Sequence, residues 1–272
     1  MDYEFQNPGP VNADIRIVSG ALNVDAGEHD VITVSVEPAD NSTASHEAAA
    51  ETRVALEGKH LVVHVPRGKG WAILRGPKLN VTVKVAAQSV LNVKTASADV
   101  TCRGVYNDAL VHTASGDVFV DRVQKEMSVN SASGDVRVGW VGGSLRAHSA
   151  SGNISVQHSG QDADITAASG DIEVARADGG VLAKTASGDV KVGVAFKDEV
   201  RAHTASGDVS VGVAAGTGVW LDLTTASGRT TSDLNMHGNM RGGQEPPAGT
   251  AALRIKVRTA SGDINLRRVA VA

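Results

Sequence analysis

A six-residue motif, Thr-Ala-Ser-Gly-Asp-Val, recurs with small variations along the last two thirds of the chain. Its serines are Ser97, Ser115, Ser133, Ser151, Ser169, Ser187, Ser206, Ser227 and Ser261. The first five intervals between them are 18 residues long, and the next three are 19, 21 and 34. Such a period is typical of solenoids, in which a repeat buries its apolar face only by stacking on its neighbours. The motif therefore predicts stacked coils.

Apolar residues alternate with polar ones on both sides of each serine. In one repeat Val118 and Val120 follow the serine at positions three and five, while Val111 and Thr113 precede it at positions four and two. A period of two is the signature of a strand with one face turned inward. The sequence thus predicts an all-β fold, a parallel β-solenoid (β-helix) with 18-residue coils and two strands per coil. One corner of the coil is the fixed Ser-Gly-Asp and the other is variable.

Two other solenoids with 18-residue coils fit less well. A left-handed hexapeptide helix needs an apolar residue every six positions, but Gly142 and His148 stand 6 and 12 residues after Val136. The calcium β-roll needs paired glycines and a spaced aspartate at each corner, whereas this chain offers Gly-Asp at one corner only. The pattern leaves the handedness of the coil open.

The regions outside the repeat predict two domains, an N-terminal β cap with degenerate coils over residues 1–90 and a regular β-solenoid over 91–272. Within the cap, residues 14–24 read as a degenerate coil, 38–52 as a polar loop and 54–65 as a hairpin. A long loop is predicted at 231–250, where the period breaks. The last coil, ending at Leu266, is expected to close the solenoid without a cap.

Composition narrows the classes of function. The net charge is −4 and basic residues are scattered, so the sequence predicts no nucleic-acid partner. It has no apolar run long enough for a membrane span and no signal peptide at its start, which favours no membrane insertion and a cytoplasmic location. The one cysteine, Cys102, takes an inward valine position and is expected to be an inert core thiol.

Three sets of repeated polar residues are candidates for a functional site. The corner carboxylates could bind a cation between stacked coils, although each is expected to cap its own turn. Histidines two coils apart are too distant to share a zinc ion, and nine equivalent serines cannot each belong to a catalytic triad. The corner set is Asp99, Asp117, Asp135, Asn153, Asp171, Asp189, Asp208 and Asp263, and the basic set three residues before the serines is Lys94, His112, His148, Lys184, His203 and Arg258.

The strand from Pro77 to Val85, followed by T-x-S-G-D-V coils as far as Asp263-Ile264, resembles the bacterial "putative adhesin" family of β-strand-repeat proteins, a domain of unknown function. The resemblance covers nearly the whole chain. It implies a β-solenoid and no catalytic residues.

Together these observations predict a scaffold that is not an enzyme and that self-associates or docks a protein partner. No catalytic, cofactor-binding or metal residue is assigned, no cofactor is expected, and a small-molecule ligand is not favoured. The alternative is a binding module for calcium or a glycan, using the aspartate edge or the 231–250 loop. Trp140 and Trp220 are too isolated in the sequence to indicate a sugar-binding groove.

Overall fold

The computed structural model describes residues 1–6, 9–66, 76–234 and 253–270. In these ranges the chain is almost entirely β-structure. It divides into two compact units, Met1–Gly143 and Ser144–Ala272.

The described part of the first unit holds ten strands and one helix. They are β1 (Asp2–Gln6), β2 (Asn12–Gly27), β3 (Val31–Pro38), α1 (Thr43–Glu51), β4 (Arg53–Glu57), β5 (His60–His64), β6 (Lys78–Ala86), β7 (Ser89–Ser115), β8 (Val118–Val123), β9 (Met127–Ser133) and β10 (Val136–Val141).

The predicted degenerate coil is strand β2, which lies in the middle of the first unit's stack. It pairs in parallel with β7 over its whole length, with Ser19 opposite Ser97. On its other side it pairs in parallel with β5 and β6, which together form a further coil. The sequence places β6 directly before the repeats, but in space β2 separates β6 from β7.

Antiparallel strands close the outer edge of the β5/β6 coil, so the predicted N-terminal β cap is confirmed. Strand β4 pairs with β5 as the expected hairpin, while β3 pairs with β6 and β1 with β3. The predicted loop at 38–52 is wrong in its centre, because Thr43–Glu51 forms α1. Ser42 caps this helix by accepting a hydrogen bond from the Ser45 amide, and alanine, the strongest helix former, fills its last turns.

The described part of the second unit continues the same pattern with twelve strands. They are β11 (Leu145–Ser151), β12 (Ile154–Ser159), β13 (Ala163–Ser169), β14 (Ile172–Ala177), β15 (Val181–Ser187), β16 (Val190–Ala195), β17 (Asp198–Ser206), β18 (Val209–Ala214), β19 (Val219–Ser227), β20 (Thr230–Ser232), β21 (Leu253–Ser261) and β22 (Ile264–Val269). Each coil has two strands, and each strand pairs in parallel with its equivalent in the next coil, motif serine opposite motif serine.

The last coil in the sequence is not the last coil in space, which corrects the expectation that it closes the solenoid. Strand β21 pairs with β17 on one side and with β19 on the other. Strand β22 likewise lies between β18 and β20. Among the described residues, the coil β19/β20, called the end coil below, is therefore the outermost coil of this unit. The predicted loop at 231–250 starts with two strand residues, and its residues 235–250 lie outside the described residues.

The core holds one more inward position on each strand than the alternation predicts. Strands before the motif bury a residue six positions ahead of the serine, such as Leu145 and Val181. Strands after it bury a third residue where the alternation breaks next to the variable corner, such as Val141 and Ala177. Six small inward residues per coil fill a narrow interior without many aromatic side chains.

Candidate interaction surfaces

The corner aspartates hold neighbouring coils together instead of capping their own turns. The Oδ1 atom of Asp171 accepts a hydrogen bond from the Asp189 amide of the next coil at 2.8 Å, and Asp189 does the same for the Asp208 amide at 2.7 Å. The series ends in the end coil, where Asp263 accepts from the amide of Arg229 at 2.8 Å. An arginine thus replaces the aspartate in the outermost coil.

The hydrogen bonds of the corner carboxylates weaken the hypothesis that these residues bind a cation. One oxygen of each of these aspartates already accepts a hydrogen bond from a backbone amide of the next coil. Among the residues that the structure describes, no group of three or more histidine, cysteine, aspartate or glutamate side chains could hold a metal ion.

The structure places the cysteine, the motif serines and one of the histidines in three different settings. Cys102 is fully buried opposite Val120, and burial raises the pKa of its thiol to about 12. The motif serines are exposed, and their carbonyl oxygens take part in the corner hydrogen bonds, as between the Gly170 amide and Ser187 at 2.9 Å. His112 lies 3.4 Å from the amide nitrogen of Asn130 in the next coil.

The basic set is brought together most closely in the second unit. Lys184, His203 and Arg258 stand opposite one another on β15, β17 and β21. They form a row that faces outward and crosses the strands, and it is called the basic strip below. Neighbouring strands lie about 4.8 Å apart, so three basic side chains follow one another at that spacing.

Glu199 contacts two cations of the row next to the basic strip. Glu199 contacts the guanidinium of Arg201 at 2.5 Å and the ammonium of Lys256 at 3.2 Å. Burial tends to raise the pKa of Glu199, but the hydrogen bonds from these two cations outweigh it and hold the pKa below its usual value. Lys256 also lies 5.4 Å from the ring centre of Trp220, which covers one face of that indole.

The electrostatic surroundings of His203 show a local excess of positive charge. Partial burial lowers the pKa of His203 below its ordinary value, and repulsion from Arg258, Lys184 and Arg201 lowers it further. The sequence shows that the three residues share a position three residues before the motif serine. It does not show that Arg258 lies next to His203, because 55 positions separate them in the chain.

A shallow polar recess of about 420 Å³ lies on the first unit. Strand pairing places Asp25 between Lys84 and Arg103 in one row across β6, β2 and β7. Its charges alternate in sign, unlike those of the basic strip. The lining residues are Asn23, Val24, Asp25, Thr82, Lys84, Thr101 and Arg103.

The apolar side chains of the end coil are less buried than those of the coil beneath it. Val219, Leu221 and Leu223 of β19 are half-buried, whereas Leu253, Ile255 and Val257, which lie opposite them on β21, are completely buried. Among the described residues, β19 pairs with β21 only. The end coil therefore presents part of its apolar stacking surface to solvent.

Stacked two-stranded coils with repeated corners and a capped first coil define this chain as a parallel β-solenoid. The chain belongs to the family described as Toastrack DUF4097, whose model matches residues 12–267. Among the described residues, no helix has the length and hydropathy needed to cross a membrane.

Solved structures show the same fold at low sequence identity. A "putative adhesin" from Parabacteroides distasonis is 12% identical, with a TM-score of 0.50 over 99% of this chain and 96% of its own. A "putative lipid binding protein" from the same organism is 16% identical, with the same TM-score and coverage. A "putative adhesin" from Parabacteroides merdae is 13% identical, with a TM-score of 0.45 over 99% and 95% of the two chains. No curated protein matches this chain.

Proposed function

We propose that the protein is a non-catalytic interaction scaffold that self-associates through its end coil. The observation that carries the proposal is the half-buried state of Val219, Leu221 and Leu223 on a strand that pairs on one side only among the described residues. An edge strand with free backbone groups and apolar side chains is a template for pairing with another chain.

The partner that fits this edge is a second copy of the chain. The surface is the stacking face of a coil, so its best complement is another coil edge with small apolar residues in the same places. In the first unit the corresponding edge of the β5/β6 coil is already paired with antiparallel strands. Two end coils would therefore meet across a two-fold axis, the self-complementary arrangement that most homodimers use.

The names of the structural relatives support a binding role in general terms. One of those described above is called a "putative adhesin" and another a "putative lipid binding protein". Because they are only 12% and 16% identical to this chain, their likeness shows the fold and not the ligand. The cytoplasmic location and the lack of enzymatic activity stay predictions from the sequence.

Sedimentation velocity over a range of protein concentrations tests the proposal. The wild-type protein should pass from monomer to dimer as the concentration rises. Leu221→Lys places a charge in the apolar edge and should leave the protein monomeric, because burying an unpaired ammonium opposes association. Far-UV circular dichroism confirms that the variant is folded.

Leu182→Lys is the matched control, because Leu182 faces outward on β15, which is paired on both sides. It makes the same chemical change away from the end coil and should leave dimer formation intact. A wild-type protein that stays monomeric at its highest soluble concentration, or a control that dissociates as fully as Leu221→Lys, contradicts the proposal.

A further inference from the structure

The basic strip lies within a surface where positive charges outnumber negative ones. Four strands, β15, β17, β19 and β21, contribute outward-facing side chains to this surface. These include two acids, Glu199 and Asp222, and five cations, Lys184, Arg201, Arg254, Lys256 and Arg258. A third acid, Asp198, stands at the bend where β17 begins. This excess stands out in a chain whose net charge is −4.

The acids in this area compensate the charges only in part. Glu199 is shared by Arg201 and Lys256. Asp222 lies 3.9 Å from Arg258, whose side chain is nevertheless 64% exposed. Lys184 is exposed and forms no ion pair within the described part of the chain. Repulsion from its neighbours acts on His203 in the middle of the row.

The other face of the same unit provides a comparison. There Lys191 contacts Glu173 of the adjacent coil at 2.6 Å, and Arg176 contacts Asp178 at 2.9 Å. Those cations are matched by acids on the solenoid itself. The basic strip differs, because Lys184 has no ion pair in the described residues and Arg258 has only a long one, to Asp222 at 3.9 Å.

The shape of the basic strip selects a linear anionic partner. Its side chains follow one another along the stacking direction, at the spacing of the strands. Thr166 and Thr224 occupy the same row beyond Lys184 and Arg258 and add hydroxyl groups for hydrogen bonding. A chain that carries a carboxylate or sulfate group on successive sugar residues can follow such a row and meet one cation after another.

Broader anionic surfaces fit less well. The ladder of corner aspartates lies five residues further along each coil, as Asp189 does relative to Lys184. A flat anionic bilayer would meet these carboxylates together with the basic strip and be repelled by them. A single-stranded nucleic acid needs aromatic rings for base stacking, and Trp220 beside the strip is half-buried beneath Lys256.

We propose that the basic strip, Lys184, His203 and Arg258, binds a linear acidic polysaccharide through its carboxylate or sulfate groups. Binding is ionic and directional, with the lysine and arginine each holding an anionic group and the histidine donating a hydrogen bond between them. The three residues of the strip lie on β15, β17 and β21 and not on β19, the edge strand of the end coil, so a monomeric protein should bind as well. The polysaccharide site is therefore independent of the proposed self-association.

Isothermal titration calorimetry with two probes, a polygalacturonate oligosaccharide and a heparin oligosaccharide, tests this site in the full-length protein. The wild type should bind at least one of them, and the affinity should fall as salt is added. Lys184→Gln and Arg258→Gln should each weaken binding about fivefold, the effect of losing one exposed ionic contact of about 1 kcal/mol, and the double variant should weaken it more than either.

Lys191→Gln is the matched control, since it removes the same charge from the same coil on the other face and should leave the affinity unchanged. If Lys191→Gln loses as much affinity as Lys184→Gln, the protein attracts the polysaccharide by its net charge alone, and the proposal is wrong. An absence of binding to both oligosaccharides, or tighter binding to phosphatidylserine vesicles or to oligo-dT than to either sugar, also overturns it.

Discussion

Replacing Gly188 with alanine tests whether the close stacking of the corners depends on the missing side chain. Gly188 has a φ of +147°, and a Cβ added there would lie 2.2 Å from the carbonyl oxygen of Gly170 in the coil below. Ordinary contact begins at 3.4 Å, and the obstructing atom belongs to the backbone. Neither group can turn aside, so the two coils must separate locally.

The size of the effect follows from the bonds that hold this corner. A positive φ in this region costs a residue with a side chain about 1–3 kcal/mol. Separation of the corners also weakens the bond from the Gly170 amide to Ser187, at 2.9 Å, and the bond from the Asp189 amide to Asp171, at 2.8 Å. Each contributes about 1 kcal/mol. We expect Gly188→Ala to lower the free energy of unfolding by about 3–5 kcal/mol.

Urea unfolding followed by far-UV circular dichroism measures this loss, with Gly216→Ala as the control. Gly216 also has a positive φ, of +82°, but a Cβ there meets nothing within 4 Å. Its substitution should cost about 1–2 kcal/mol, the cost of the left-handed backbone conformation alone. Equal losses in the two variants would refute the reasoning, because the approach of the neighbouring backbone would then contribute nothing.

Two further predictions concern titratable groups in the coils. Burial raises the pKa of Cys102 to about 12, so iodoacetamide at pH 8 should label this thiol only after urea is added. The variant Cys102→Val should retain the wild-type stability. Rapid labelling of the folded protein would contradict the burial of Cys102. The lowered pKa of His203 means that the unfolded chain binds more protons than the folded protein below about pH 6.5, so this residue reduces stability as the pH falls through that range. His203→Asn should therefore lose less stability than the wild type between neutral and mildly acidic pH, measured by urea unfolding at each pH, and equal losses in the two proteins would contradict the lowered pKa.

Local patterns determined most of the architecture. The alternation around Val118 and the glycine at each corner specify the strands, the inward face and the turn, because these depend on the residues within one coil. The loop predicted over residues 38–52 is wrong over 43–51, which form a helix. The alanines there favour a helix, but the segment is short and polar, and such a composition is also typical of a loop. The third inward residue beside the variable corner was also missed, because the strict period of two fails there.

The basic strip shows why a site can escape such patterns. Lys184, His203 and Arg258 share a position relative to the motif, and this much is visible in the sequence. Their charges act together only because β21 stacks directly on β17. That stacking also brings Lys256 to Glu199, which pairs with Arg201 on its own strand, while Lys184 has no ion pair in the described residues.

The sequence by itself determined a two-stranded coil of 18 residues and the property that such coils stack. Tertiary structure alone decided their order, in which β2 lies between β6 and β7, and β21 lies between β17 and β19. The physical reason is that every coil presents nearly the same ladder of valine, threonine, serine and glycine to its neighbours. Stacking in chain order and stacking out of order then gain similar contacts, and long-range features such as the antiparallel cap and the arginine of the end coil distinguish them.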